Sequence, residues 1–301
     1  MKAIVTGGAG FIGSHLVEEL INNGAEVHVL DNLTSGDLHN IHSSTVVHIE
    51  DIRSEKAKEI ILREKPDALF HLAAQADVER SIRNPRDDAD VNINGTINVL
   101  QAGHEASVKK VIFSSTSAVY GSLQKELISE DDLAIPISYY GLSKLTAEAY
   151  IRLFSQLYGI SYTILRYGNV YGPRQLAKGE GGVIAVFLDK IKNKSPLIIY
   201  GDGEQTRDFV YVKDVVQANL FAINRGNQKT IHISTAQSTS INHLLKMLKQ
   251  IHRSEIDTVF KPARIGDIKH SCLDNRRAHQ LLKWHPKFDI FKGLKETYHT
   301  L

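Results

Sequence analysis

Tyr140 and Lys144 stand four residues apart, a spacing that puts both side chains on one face of a helix. A phenol with a pKa of ~10 is a poor base at neutral pH. A neighbouring ammonium favours the phenolate and lowers that value. A tyrosine activated in this way can take a proton from a substrate hydroxyl while hydride leaves the same carbon. Thr116 ends the run Ser114-Ser115-Thr116 and can hydrogen-bond that hydroxyl, so Thr116, Tyr140 and Lys144 form the candidate catalytic set. A Tyr-x-x-x-Lys pair also arises by chance on helix surfaces. The chemistry therefore requires a hydride acceptor beside it.

The first thirty residues point to that acceptor. Ala3-Ile4-Val5 reads as a strand, Gly7-Gly8-Ala9-Gly10-Phe11-Ile12-Gly13 as a glycine turn, and Ser14 to Ile21 as a helix ended by Gly24. Val27 to Leu30 is a second strand closed by Asp31. This is the dinucleotide fingerprint in its strand–turn–helix context, although a bare glycine pattern would also suit a simple tight turn. Gly7, Gly10 and Gly13 let the backbone approach a pyrophosphate, and the helix N-terminus offers N–H groups and a partial positive charge. Asp31 lies 18 residues beyond Gly13, where a carboxylate accepts ribose hydroxyls and repels a 2′-phosphate. No Lys or Arg lies between Asp31 and Ile52 to bind such a phosphate. The expected cofactor is NAD.

The elements that must position these groups follow in order. Thr45 to Ile49 predicts a third strand, and Ser54 caps a helix through Leu62. Ala68 to Leu72 is a fourth strand, with the small-residue loop Ala73-Ala74-Gln75-Ala76 at its carboxyl end, where ligands bind in doubly wound sheets. Arg86 to Ala106 reads as a helix although Asn92, Asn94 and Gly95 in its middle cost stability, which calls for a packing or ligand reason. Lys110 to Ser114 is a fifth strand, Tyr139 to Tyr158 a helix with Gly159 as its C-cap, and Ser161 to Arg166 a sixth strand. Strands alternating with helices argue an α/β fold with a Rossmann-type doubly wound parallel sheet. The second half is less regular. Helices are expected at Val183–Ile191, Tyr211–Ala222, Asn242–His252 and Arg276–Leu282, and strands at Pro196–Tyr200, Phe209–Tyr211 and Ile231–Ile233. Gly201-Asp202-Gly203 reads as a hairpin-like turn. The expected division is an NAD-binding domain over 1–168, with 206–230 packing back onto it, and a smaller α/β substrate domain over 169–301.

Composition narrows the classes. The chain has 301 residues, 42% hydrophobic and 23% charged, which suits a substantial core. The net charge of +2 comes without a basic stripe, so no nucleic-acid partner is expected. No apolar run approaches the ~20 residues of a membrane span, and the N-terminus enters a strand at once without a leader. The single cysteine, Cys272, allows no internal disulfide and reads as a packed thiol. The 14 histidines are scattered without metal-ligand spacing, and no metal is expected. Together these features place the protein in the cytoplasm.

The motifs as a set resemble those of an extended short-chain dehydrogenase/reductase of the NAD-dependent epimerase/dehydratase family, and within it the UDP-glucose 4-epimerase group. They are Thr6 to His15, Asp31-Asn32-Leu33, His71 to Gln75, Asn94-Gly95-Thr96, Ser114-Ser115-Thr116, Tyr140-x-x-x-Lys144, Leu165 to Arg174, Gly201-Asp202-Gly203-x-x-x-Arg207-Asp208-Phe209, and Arg264-x-Gly266-Asp267. The resemblance spans essentially the whole chain. It implies that bound NAD⁺ oxidises C4 of a UDP-hexose and that the 4-keto sugar turns over before hydride returns to its other face. It further implies cofactor contacts from Phe11, Ile12, Asp31, Asn32, Leu33, Thr34, Ser35, Gly36, Asp51, Ile52, Leu72, Ala73, Ala74, Gln75 and Asn92, together with Tyr140 and Lys144. On the substrate side it implies Asn169 near the pyrophosphate, Val183 in the pocket, Ile198, Ile199 and Tyr200 flanking the uracil, Arg207 and Arg264 on the phosphates, and Asp267 on the uridine ribose. Forked guanidinium donors suit phosphate. The resemblance also implies a homodimer through helices near 93–106 and 142–158.

Departures from the family pattern point to a somewhat different sugar pocket. Ala76 stands where many members carry Lys, Gly168 replaces a common aromatic beside Asn169, and Tyr139 replaces the usual Pro before the catalytic tyrosine. Ser271 stands at the family's gate, where a small residue leaves room for a 2-acetamido group, so UDP-N-acetylhexosamines join the expected substrates. A 4,6-dehydratase would need Asp-Glu after the catalytic threonine, where this chain has Ser117-Ala118. A uronate epimerase or decarboxylase would need a carboxylate anchor, for which Arg174 is the candidate. A non-catalytic NAD sensor would have no need of the Tyr140/Lys144 pair.

Overall fold

The computed structural model describes residues 1–123, 125–177, 182–263 and 268–300. The first half runs β1 (Lys2–Thr6), α1 (Phe11–Asn22), β2 (Glu26–Asp31), β3 (Val46–Ile49), α2 (Glu55–Glu64), β4 (Ala68–His71), α3 (Val78–Arg83), α4 (Pro85–Ala89), α5 (Gly95–Glu105), β5 (Lys110–Thr116), α6 (Tyr139–Tyr158) and β6 (Ser161–Tyr167). The second runs β7 (Asn169–Tyr171), α7 (Val183–Lys192), β8 (Leu197–Tyr200), β9 (Thr206–Tyr211), α8 (Val212–Ala222), β10 (Lys229–Ile233), β11 (Ser238–Ser240), α9 (Ile241–His252), β12 (Thr258–Lys261), α10 (Arg276–Leu281) and α11 (Ile290–Tyr298).

Seven strands form one parallel sheet in the order β10-β6-β5-β4-β1-β2-β3. Strand order reverses between β1 and β4, which opens a crevice at their carboxyl ends. Both faces of the sheet are covered, so the strands read as nearly unbroken apolar runs. Ala3, Val5, Val29 and Phe70 pack under Leu16, Val17 and Leu20 of α1 and Val215 and Val216 of α8. Ile4, Leu30, Leu69 and Phe113 pack on the other face, under Ile61 of α2, Val99 of α5 and Ile151 of α6. Each Val, Leu, Ile or Phe among them contributes about 1.5–3 kcal/mol by leaving water. A further core forms in the second half around Tyr171, Phe187, Leu197, Phe209, Leu244 and Leu294.

The expected long helix over 86–106 is interrupted by a π-helical turn at Asp90–Asn94. Such turns cluster at functional sites, and this one presents Asn92 inward. Gly95 has a packing reason: a Cβ there would lie 2.6 Å from Ile52 Cδ1.

The hairpin expected at Gly201–Gly203 does not form. Its flanking strands belong to different sheets: β8 pairs in parallel with β12, whereas β9 lies between β11 and β7. The turn docks instead on the start of α9, where Asn242 donates its backbone N–H to the Gly203 carbonyl (3.0 Å) and its side-chain amide to the Asp202 carbonyl (2.9 Å). Those contacts fix the turn against α9 and satisfy its Asp202 and Gly203 carbonyls there.

Candidate active site

The glycine turn closes tightly at the switch point. Gly7 has φ +70°, and a Cβ on it would lie 2.7 Å from the Ala73 nitrogen. A Cβ on Gly13 would collide with the Gly7 carbonyl. Backbone thus lies against backbone between the turn and the loop after β4, as a cradle for a flat cofactor requires. Asp31 is buried at the end of β2 and accepts from Ala9 N (2.9 Å) and Leu33 N (2.8 Å). A Cβ on Gly36 would sit 2.9 Å from Asp31 Oδ1, so glycine there leaves the carboxylate approachable. The structure therefore brings the 31–36 loop onto the glycine turn. Asn32 extends this edge by donating to Asp51 Oδ2 (2.8 Å). The Arg53 guanidinium holds the Asp51 carboxyl well below the usual carboxylate range.

A proton-ordered chain fixes the β4 end of the crevice. Thr96 donates to the Asn92 carbonyl (2.6 Å), so its oxygen accepts from His71 Nε2 (3.0 Å). His71 Nδ1 is then the acceptor for Thr6 Oγ1 (2.7 Å), which in turn accepts from Ala73 N (3.2 Å). Burial, with the Lys144 charge, pushes the His71 pKa down to about 3, so the ring stays neutral in this role. Asn92 acts like a paired strand: its Oδ1 accepts from Gln75 N (2.9 Å), and its Nδ2 donates to the Gln75 carbonyl (2.9 Å) and to Ser143 Oγ (3.0 Å). One side chain thereby joins the 72–76 loop to the helix that carries Lys144. Sequence reading placed Asn92 correctly as an unusual helix residue but had no signal for this bridging.

Ser138 caps α6 by accepting from Gly141 N (3.1 Å), which fixes the first turn and with it Tyr140. Tyr139 is the first residue of that helix and is exposed, so its side chain meets no obstacle. One turn beyond Tyr140, Lys144 is buried with its Nζ 4.2 Å from the centroid of the Phe113 ring. Thr116 closes β5, and its hydroxyl oxygen accepts from Ala118 N (3.1 Å), leaving its proton to donate elsewhere. The short turn after it is seated directly on α6, because a Cβ on Gly141 would lie 2.5 Å from the Ala118 carbonyl oxygen. That close approach couples the placement of Thr116 to that of Tyr140.

Asn169, Val183, Ile198, Ile199, Tyr200 and Arg207 line a single cavity of about 220 Å³. Phe187, Gln205 and Ile241, which sequence reading did not single out, complete its wall. Buried Asp208 orders the neighbourhood, accepting from Thr235 N (2.8 Å), Thr235 Oγ1 (2.6 Å), Ala236 N (3.0 Å) and Leu273 N (3.3 Å). Gly168 is required by the same packing: a Cβ there would lie 2.9 Å from the Asp208 carbonyl oxygen. Ser271 donates its backbone N–H to the Thr206 carbonyl (3.3 Å), one residue from Arg207. Arg264 and Asp267 lie outside the described residues. Arg174 turns to Glu18 of α1 (3.0 Å). Cys272 is buried and unbridged, and burial, with the Asp208 charge beside it, pushes its thiol up to about 11.

A profile of the NAD dependent epimerase/dehydratase family matches residues 3–234. The chain belongs to that family. It is 36% identical to the UDP-glucose 4-epimerase of Mycolicibacterium smegmatis over 304 residues, covering 99% of this chain and 97% of that one. A UDP-glucose 4-epimerase of Thermotoga maritima, solved with UDP-glucose, superposes with a TM-score of 0.97 at 44% identity, covering 100% of this chain and 98% of that one. A UDP-glucose 4-epimerase of Thermus thermophilus, solved in complex with NAD, gives 0.94 at 35% identity over 100% and 98% of the two chains. Family membership makes the chain an NAD-dependent enzyme of the extended short-chain type. The glycine cradle and the approachable Asp31 are features of this chain that fit such a cofactor.

Proposed function

We propose that the protein is an isomerase that interconverts UDP-hexoses at C4, with UDP-glucose and UDP-galactose as its primary pair. The observation that carries this reading is the buried Lys144 one helical turn from Tyr140, on a helix locked to the Thr116 turn. NAD, held by the glycine cradle and Asp31, would supply a reversible hydride acceptor for C4. Tyr140 receives the C4 hydroxyl proton as the hydride leaves and gives it back when the ketone is reduced. Lys144 lowers the cost of the phenolate, and Thr116 holds the hydroxyl by donating to it. Residues 1–168 hold the cofactor. Residues 169–301 grip UDP, with uracil in the Ile198–Tyr200 cavity, Arg207 and Arg264 on the phosphates, Asn169 near the pyrophosphate and Asp267 on the uridine ribose. The sugar pocket then accepts a 2-acetamido group beside Ser271. The Arg174–Glu18 ion pair favours neutral sugars over uronates, since the arginine already has its carboxylate.

The same reading makes the enzyme a homodimer. On α6, Leu142, Tyr150, Leu153 and Leu157 are all exposed, forming an apolar stripe that a second copy would cover. A cytoplasmic location and a role in galactose metabolism fit the single buried thiol and the proposed substrates. Among the described residues no helix is long and apolar enough to cross a membrane. Incubation of the purified protein with UDP-glucose, UDP-N-acetylglucosamine and UDP-glucuronate in turn, without added NAD, tests the reading. Formation of the C4 epimer of the first two supports it, and turnover of the uronate alone would refute it.

A further inference from the structure

At the β3 edge of the large sheet, the parallel register pairs His28 with Val46 and Leu30 with His48. His28 and His48 are therefore diagonal neighbours on one face. His28 Nδ1 lies 3.0 Å from His48 Nε2, with the rings within 13° of parallel. Glu64, the last residue of α2, closes the group, and one donor atom from each of the three lies within 4.8 Å of the others. It is the one such grouping among the described residues. Two imidazole nitrogens and a carboxylate oxygen are a donor set for a borderline divalent cation, and three protein donors leave one position for water.

We propose that His28, His48 and Glu64 form a zinc-type divalent metal site that ties β2, β3 and α2 together, apart from the Tyr140 and Lys144 chemistry. The surroundings already orient the ligands. Glu26 Oε1 lies 3.2 Å and Glu64 Oε2 3.6 Å from His28 Nε2, so that nitrogen carries the proton and donates it to Glu26, leaving the Nδ1 lone pair on the His48 side, and Glu64 swings across the ring edge to reach a metal there. A carboxylate that orients a ligating histidine through its far nitrogen is a recurrent partner of zinc sites. Two Zn–N bonds of ~2.05 Å at a tetrahedral angle hold their nitrogens ~3.3 Å apart, so the nitrogens part only slightly while both rings turn to aim their lone pairs at one point. Without metal, His48 donates its Nε2 proton to His28. With metal, His48 carries that proton on Nδ1 instead, and the exchange releases none.

Two competing cations are already in place, one of them Arg63, whose Nε lies 2.8 Å from Glu64 Oε1. Lys2 Nζ lies 3.3 Å from Glu64 Oε2 and 2.9 Å from Glu26 Oε1. A metal would take Glu64 and leave Lys2 with Glu26. Removing the Lys2 charge should therefore tighten metal binding, whereas an adventitious surface histidine would be indifferent to it.

The test is calorimetric titration of zinc into the chelator-treated full chain, with unfolding temperature as a second readout. Wild type is expected to take a single zinc and to unfold at higher temperature when loaded. His48→Gln keeps a hydrogen-bonding amide beside His28 but should bind zinc more than about tenfold more weakly and lose the thermal shift. Lys2→Gln should bind more tightly than wild type. His39→Ala, at a nearly fully exposed histidine, should behave as wild type. Equal zinc binding by His48→Gln and wild type, or no zinc uptake by wild type, overturns the site.

Discussion

The Lys144 ammonium lies over the Phe113 ring, 4.2 Å from its centroid, and Phe113 is three residues before Thr116 on β5. A buried ammonium far from water tends to shed its charge. The ring face offsets part of that cost, by about 0.5–2 kcal/mol. Phe113→Leu should weaken the charge on Lys144, raise the cost of the Tyr140 phenolate and move the acid limb of the kcat/KM profile to higher pH. Phe113→Tyr keeps the ring face and should leave the limb in place. Parallel pH profiles of the two variants check this.

Asn92 satisfies both backbone groups of Gln75 in a buried setting. Asn92→Ala leaves a buried N–H and a buried C=O without their partner, at roughly 1–3 kcal/mol each. The variant should lose about 2–6 kcal/mol of stability and retain less NAD on desalting. Urea unfolding and the nucleotide content of the isolated protein measure the two effects. An unchanged unfolding midpoint would contradict the clamp.

Acid sensitivity should arise from buried neutral histidines. Burial pushes His71 and His232 down to about 3. His232 is held by the Tyr120 hydroxyl (2.6 Å) and the Asp274 carbonyl (3.0 Å). With folded values far below the unfolded ~6.5, the unfolded chain binds the extra protons. This stability is fully present above pH ~6.5 and is lost as pH falls from there towards the folded value. Each ring should contribute a slope on the order of 1 kcal/mol per pH unit in that window. Urea midpoints from pH 7 to 5 should fall for wild type and fall less steeply for His71→Gln.

Ser271 sits one strand contact from Thr206 and Arg207. If it admits the 2-acetamido group, Ser271→Tyr should abolish turnover of UDP-N-acetylglucosamine and spare UDP-glucose. Separate kcat/KM values for the two substrates decide it, and equal loss or equal retention would count against the gate.

The parts legible in the sequence are those encoded by local spacing. The Tyr140/Lys144 interval, the Ser54 cap and the Gly159 cap each follow from residues within one or two turns of each other, and the glycine turn with Asp31 follows from one strand–turn–helix–strand unit. The Asn169, Ile198–Tyr200 and Arg207 cavity follows from the resemblance, because those residues meet only through the packing of β7, β8 and β9. What escaped depends on long-range pairing. The pairing of β8 with β12 cannot be read from a Gly-Asp-Gly turn, since the docking of Asn242 on that turn is tertiary. The His28, His48 and Glu64 cluster draws on three elements, so no sequence interval announces it. His71 had a faint signal as an isolated polar residue ending an apolar strand, but its proton order emerges only from Thr6, Thr96 and Ala73 together.

In the proposed reaction hydride leaves C4, stays in the site and returns to the same carbon. Incubating the protein, without added NAD, with UDP-glucose deuterated at C4 tests it most directly. UDP-galactose that retains the deuterium at C4 is the expected product. Absence of the C4 epimer, or epimer that has exchanged its C4 label with solvent, would contradict it.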